Sequence, residues 1–332
     1  MQIVRRHCAV TADTALRLPI ALQILVFPPR GFILLGMSKI YRQLVAGLFI
    51  VVWLAPPFFL ANLGASEPVP NGADTLKIMT FNLKYASPVP PNSWPQRRPV
   101  MKACIETVAP DVFGTQEGLF GQLQDLATEL PAYAWIGLGR DGGSRGEFMA
   151  VFYLTDRFKP LEFDHFWLSD TPDVIGSSTW GNSNRRMVTW VKFLDRRSQQ
   201  QFYFFNTHLD HQIQLAREKG ATLIRQRIEA LATNLPVVLV GDFNAQAGAN
   251  NAYTTLTKDG FLSDTWLTAA SRRGEEYSSF HGFGTPKKEG VRIDWILSRG
   301  IPQVDWEEIV LFEKNGQYPS DHFPVAALLR WH

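Results

Sequence analysis

A chain of 332 residues that is 45% hydrophobic and 19% charged has globular make-up, which excludes a disordered or collagen-like protein. Its net charge of +2 hides an asymmetry: residues 1–65 carry six basic side chains against one acidic residue, Asp13, so residues 66–332 keep 27 of the 33 basic and 30 of the 31 acidic groups, a net −3. That mildly acidic portion argues against a strong non-specific grip on polyphosphate, which needs a basic face.

Residues 1–36 read as an upstream extension, because a second methionine, Met37, opens a segment with the pattern of an export signal. Lys39 and Arg42 are followed by an apolar stretch from Leu44 to Ala55 and by the small residues Ala61, Gly64, Ala65 and Ser66. The same segment, 37–66, also suits a retained membrane anchor, since no charge falls between Arg42 and Glu67, although Pro56-Pro57 would break such a helix in its middle. Either expectation exports the remainder. Residues 67–74, with two prolines, Asn71 and Gly72, read as a linker, and 75–332 as one large domain. Cys8 lies in the leader and Cys104 stands alone in the domain, so no disulfide is expected within it.

Short β-like runs are predicted over residues 77–81, 148–153, 187–194, 202–207, 237–240, 291–297 and 325–329. Helices are predicted over 98–108 and 212–231. In the second, Ile213, Ala216, Leu223, Ile224, Ile228 and Leu231 recur at helical spacing behind Asp210 as the N-cap. Strands and helices mixed in this order predict an α/β or α+β layered sandwich.

Polar residues recur where these runs end. "KIMTFNLKY" ends on Asn82, "DVFGTQEG" on Glu117 and "YFFNTHLDH" on His208. "PVVLVGDFNA" leaves its strand at Asp242 and Asn244, "VRIDWILS" places Asp294 inside a strand, and "YPSDHFPV" supplies Asp321 and His322. Taken singly, each is an ordinary turn former or cap. Their recurrence is the signal, because strand ends on one sheet edge converge on a common site. Asn, Glu and Asp supply hard oxygen ligands suited to Mg²⁺ or Mn²⁺, and two histidines beside carboxylates supply groups that hold or pass a proton. The chain has no P-loop, no GxSxG and no cysteine nucleophile with partners. His208 and His211 are three apart, but without HExxH or cysteine ligands that spacing gives zinc little support.

"TFNLKY", "TQEG", "NTHLDH", "GDFNA", "RIDWIL" and "SDHFPV" occur in the order seen in the endonuclease/exonuclease/phosphatase superfamily, and residues 75–331 resemble it throughout. The likeness looks greatest to the branch of carbon-catabolite-repressor deadenylase-like proteins and exported bacterial hydrolases. The resemblance implies the DNase I-like fold, a four-layer α/β/β/α sandwich of two packed mixed sheets. It also implies that Glu117, Asn82 and Asp321 hold a divalent metal, Mg²⁺ or Mn²⁺. Asp242 and Asn244 would then position the attacking water, and His322, partnered by Asp294, would contact the scissile phosphate together with His208.

Three further residues are weaker candidates for substrate binding. Glu147 precedes a strand in "GEFMAVFY", Arg186 follows Arg185 ahead of "MVTW", and His281 lies between Phe280 and Phe283 in "SFHGFG". Surface, turn and core roles are the alternatives for these three. Trp94 and Trp180 sit in polar loops as cleft-lining residues or loop anchors. The expected activity is hydrolysis of phosphodiesters, nuclease-like, on single-stranded or short nucleic acid. The alternatives are a phosphatase or phosphodiesterase acting on lipid, inositol or sugar phosphates, and a non-catalytic binding protein on the same scaffold.

Overall fold

The computed structural model describes Gly72 and residues 74–331, so the expectations for 1–36, 37–66 and most of the linker lie outside the described residues. From the N-terminus the strands and helices run β1 (Thr75–Asn82), α1 (Trp94–Val108), β2 (Val112–Gln116), β3 (Gly118–Leu119), α2 (Phe120–Glu129), β4 (Tyr133–Ile136) and β5 (Glu147–Phe148). Next come β6 (Val151–Leu154), β7 (Phe158–Trp167), β8 (Met187–Asp195), β9 (Gln201–His208), α3 (Gln214–Ala230) and β10 (Val237–Asp242). The chain closes with α4 (Asn251–Thr257), β11 (Ser263–Asp264), α5 (Thr265–Thr268), β12 (Ala269–Arg273), β13 (Asp294–Arg299), β14 (Gln303–Ile309) and β15 (Val325–Arg330). Among the described residues no helix is long and apolar enough to cross a membrane.

Two mixed sheets form, a seven-stranded one in the order β12-β14-β15-β1-β2-β6-β4 and a six-stranded one in the order β11-β13-β10-β9-β8-β7. Their central strands are buried on both faces, which explains the near-continuous apolar runs in the sequence. Leu76, Ile78, Val112 and Val325 of the first sheet meet Val191, Phe204, Val240 and Ile296 of the second in one central core. The outer face of the first sheet is covered by α1 and α2 through Met101, Ile105 and Leu123, and that of the second by α3 and α4 through Ile224, Ile228 and Leu256. The architecture is therefore the expected four-layer α/β/β/α sandwich.

Directly beneath the strand ends, a buried amide pair crosses the gap between sheets. Gln116 Nε2 donates to Asn206 Oδ1 at 2.7 Å, and Asn206 Nδ2 donates to the carbonyls of Thr115 (2.8 Å) and Ala150 (2.9 Å). Such groups are tolerated in a core only when their hydrogen bonds are made. The close approach needs Gly114: a Cβ there would meet Val240 Cγ2 at 2.6 Å and Asn206 Cγ at 2.7 Å.

The structure revises several element boundaries. The run 148–153 is two strands, because Phe148 pairs with Gly118 while Val151 pairs with Gly114, and the Ala150 carbonyl between them is taken by Asn206 and by Thr115 N. The run 291–297 enters the sheet only at Asp294, since the amides of Val291 and Ile293 are held by the hydroxyls of Ser278 and Ser279. Asp210 is not the N-cap of α3, whose cap residue is Ile213. Its Oδ1 instead accepts from the amides of Gln212 and Ile213 and closes a turn ahead of the helix. Helix α1 begins at Trp94, four residues before the expected start, with Pro95 in its first turn, where the missing N–H costs nothing.

Gly114→Ala is expected to lower unfolding stability by about 1–3 kcal/mol through overpacking, read as a lower urea midpoint. Gly121→Ala, at an exposed α2 position with open space around it, should leave the midpoint unchanged or raise it.

Candidate active site

Strand register brings the polar strand ends together. In the second sheet Asp242 pairs with His208 of parallel β9 on one side and with Asp294 of antiparallel β13 on the other. Residues in one such row project from the same face of a sheet, so the three side chains stand side by side. In the first sheet Asn82 closes β1 opposite Gln116, and Glu117 follows at once. Asp321 and His322 come from the segment before β15. Ser320 fixes that segment by donating to the Asn82 carbonyl at 2.6 Å, which gives "YPSDH" its anchor on β1. Lys84, Glu117 and Asn244 adopt the left-handed region, with φ of 53°, 60° and 48°. Asn tolerates that region, but for Lys and Glu it is strained backbone, a kind that gathers at functional sites.

The two sheets' contributions meet in a hydrogen-bonded cluster. Asn82 Nδ2 donates to Asp242 Oδ2 at 3.0 Å and to Glu117 Oε1 at 3.2 Å. His322 Nδ1 lies 3.0 Å from Asp294 Oδ2, and its Nε2 lies 3.7 Å from Asp242 Oδ2. Asp242 Oδ1 accepts the Asn244 amide at 2.9 Å, and Asn244 Nδ2 reaches His208 Nε2 at 2.9 Å. Asp242, Asp294, His208 and His322 are all at least 95% buried.

Burial with these neighbours drives the protonation states apart. Burial alone would lower the His322 pKa, but the charges of Asp294 and Asp242 outweigh it and raise His322 to about 10. Burial, then the charge of Asp294, pushes Asp242 up to about 7 against the opposing charge of His322. Burial, then the charges of Arg186 and His322, holds His208 well below its ordinary value. At neutral pH the Asp242 cluster thus pairs a charged His322 with a neutral His208 around a carboxylate near its own midpoint, the arrangement that divides acid and base roles between neighbouring groups.

His208, Asp242 and His322 line a cleft of about 340 Å³ that also exposes Lys84, Tyr85, Arg140 and Phe280. Beside Asn82, the carboxylates of Glu117 and Asp321 face one another across the Lys84 ammonium, 3.9 Å from Glu117 Oε2 and 3.1 Å from Asp321 Oδ2. A cation of the chain itself therefore already stands between them, and the oxygen donor set suits Mg²⁺ or Mn²⁺. Asp242, Asp294 and His322 also bring three potential ligand atoms within 4.8 Å of one another. There the Asp294 carboxylate and the His322 Nδ1 are engaged with each other, so the Glu117–Asp321 pair is the better-fitting cation site.

Of the weaker candidates, Glu147 and Arg186 line the cleft and His281 does not. Glu147 is ion-paired with Arg140, and Arg186 is buried with Nη2 3.1 Å from His211 Nδ1. The His281 ring packs between Phe323 and Tyr318, with centroids 4.3 and 4.5 Å away, which corrects its reading as a substrate contact. The aromatic of that stretch that reaches the cleft is Phe280, 4.9 Å from the His322 ring. Trp94 is buried at the start of α1 and bonds Asp125, and Trp180 bonds Asp170; neither lines the cleft. Lys84, Tyr85, Arg140, Asn184 and His211 join the cleft without having been singled out as contacts. Only Lys84 and Tyr85, next to Asn82 in "TFNLKY", and His211, in "NTHLDH", carried any signal.

Comparison with known proteins agrees with this geometry. Residues 79–322 match the model of the Endonuclease/Exonuclease/phosphatase family. A solved family member from Bacteroides vulgatus is 36% identical, with a TM-score of 0.72 over 78% of this chain and 99% of its own. The Bacteroides thetaiotaomicron mannosyl-6-phosphatase is 33% identical, with a TM-score of 0.71 over 76% of this chain and 99% of its own. An uncharacterized protein of Acanthamoeba polyphaga mimivirus is 28% identical across 71% of this chain and 91% of its own. With the match running from inside β1 to His322, through both sheets and every strand end that builds the cleft, the chain belongs to the endonuclease/exonuclease/phosphatase family, whose members hydrolyse phosphoesters.

Proposed function

We propose that the protein is a divalent-metal-dependent phosphoesterase that hydrolyses a small phosphorylated alcohol by attack of water on phosphorus. The observation that carries this reading is the buried Asp242–His322–Asp294 cluster opening into a cleft beside the Glu117–Asp321 carboxylate pair. Asn82, Glu117 and Asp321 would hold the metal, which when bound supplies positive charge against the phosphoryl oxygens. Asp242, with a pKa near 7 and one oxygen fixed by the Asn244 amide, orients the attacking water and takes its proton. His322, held protonated by Asp294, directs Nε2–H into the cleft and bonds a phosphoryl oxygen where charge builds up. The Arg186 guanidinium, which also lines the cleft, adds donors.

A cleft of about 340 Å³ bounded by charged side chains suits one small polar substrate, and the 33% identity to a mannosyl-6-phosphatase supports a sugar phosphate. A second reading, cleavage of phosphodiesters in single-stranded or short nucleic acid, is favoured by Tyr85 and Phe280. Both line the cleft and are 44% exposed, as rings that stack bases are. The leader pattern supports action outside the cytosol, by secretion or at a membrane surface.

Assays of phosphate release from hexose phosphates, run beside cleavage of a single-stranded oligonucleotide, should favour the sugar phosphates and lose all turnover in EDTA. Turnover of neither class, or full turnover in EDTA, contradicts the proposal. Asp242→Asn and His322→Ala should each lower kcat by about 10²–10⁴-fold while the protein stays folded. Because Asp242 acts deprotonated and His322 protonated, kcat/KM should rise through about pH 7 and fall through about pH 10. Asp294→Asn removes a charge that raises both groups, so both limbs should move to lower pH; limbs that stay in place would rule out these assignments.

A further inference from the structure

Lys84 is the cation nearest the acidic pair, and the way it is held separates its backbone from its side chain. The left-handed backbone is pinned on both sides: its amide donates to Asn82 Oδ1 at 3.0 Å, and its carbonyl accepts from Arg97 Nη2 and Gln122 Nε2, each at 3.0 Å. The side chain makes no neutral hydrogen bond that would fix it. It rests on electrostatics alone, against Asp321, Glu117 and the Tyr85 ring 5.0 Å away, and it is 29% exposed along the cleft wall. The two carboxylates are less exposed, at 17% and 7%, and among the described residues Lys84 is the ion-pair partner they share; Asp321 adds a 3.4 Å contact with Ser320 Oγ and the more distant charges of Arg97 and His322. Buried carboxylates without a counter-charge repel one another and lose solvation. The ammonium therefore does for these two acids what a bound divalent ion would do, and the two cations cannot occupy the same space.

We propose that Lys84 is a displaceable internal cation: it holds the Glu117–Asp321 pair until a divalent ion enters, and its ammonium then moves along the cleft wall to contact the substrate phosphate. The proposal rests on the metal-dependent reading above and adds a residue that exchanges partners within the cycle. Metal binding to the wild-type chain carries the cost of evicting the lysine, and phosphate binding recovers part of that cost by giving the ammonium a new anion. The two ligands are thereby coupled through one flexible side chain on a fixed backbone.

Calorimetric titration of the full chain with MnCl₂ alone, and then of the manganese-loaded chain with inorganic phosphate, tests this. Lys84→Met should bind Mn²⁺ about five- to tenfold more tightly than wild type and bind phosphate several-fold more weakly. Lys84→Arg should keep phosphate affinity near wild type. A second measurement needs no variant: the reactivity of Lys84 towards an amine-directed reagent, read by mass spectrometry, should rise when Mn²⁺ is added and fall again with phosphate. If wild type binds Mn²⁺ but Lys84→Met binds it equally or less tightly, or if Lys84 reactivity ignores the metal, the role of Lys84 is overturned and the metal reading stands. If wild type binds no Mn²⁺, both fall.

Discussion

Everything in the cleft depends on keeping two buried carboxylates, Asp242 and Asp294, around one imidazole. Asp294 lies 3.0 Å from His322 Nδ1 and Asp242 lies 3.7 Å from Nε2, with almost no solvent access to any of the three. Two carboxylates this close in a low-dielectric recess are tolerated when the group between them is positive or when one of them takes a proton, as Asp242 does near pH 7. The protonated state of His322 thus both supports the cluster and is the source of its chemistry. Burial first, and then repulsion from Arg186 and His322, keeps His208, a few ångströms away on the other side of Asp242, neutral.

Holding that geometry is the work of the surrounding framework. The Gln116–Asn206 bridge fixes the spacing of the sheets one residue before Glu117 and two before His208, so the strand ends meet at a set height. Arg97 serves the other side. It is fully buried without a carboxylate partner, and its donors go to the carbonyls of Leu83, Lys84, Tyr85, Asn92 and Pro319. That guanidinium ties the loop after β1 to the segment that delivers Asp321 and His322. Tyr318-Pro319-Ser320 is held in the same framework: Pro319 offers a carbonyl to Arg97, Ser320 donates to the Asn82 carbonyl, and the Tyr318 ring packs on His281.

Much of this was legible in the sequence because two-sided burial writes itself as apolar runs, and the groups that interrupt such runs stand out. Asn82, Glu117, His208, Asp242 and Asp321–His322 were visible for that reason. Strands at or next to a sheet edge gave no comparable signal. β7 carries Lys159, Glu162 and Asp164 on an exposed face, and β14 has a register break near Asp305 among polar residues, so neither reads as a run. The contacts that line the walls were also hidden, because Arg140 and Asn184 come from loops whose sequence carries no period. "SFHGFG" misled for a definite reason: the residue pair alternates, and the register set by the Phe280–His322 bridge turns Phe280 outward and His281 inward.

The charge assignment at the centre of this account is open to direct observation. Histidines labelled with ¹⁵N and followed by NMR from pH 5 to 10 should show His322 as an imidazolium through neutral pH and His208 as a neutral ring over the same range. A His322 signal that titrates near the ordinary histidine value of about 6.5, or two rings that titrate together, would contradict it.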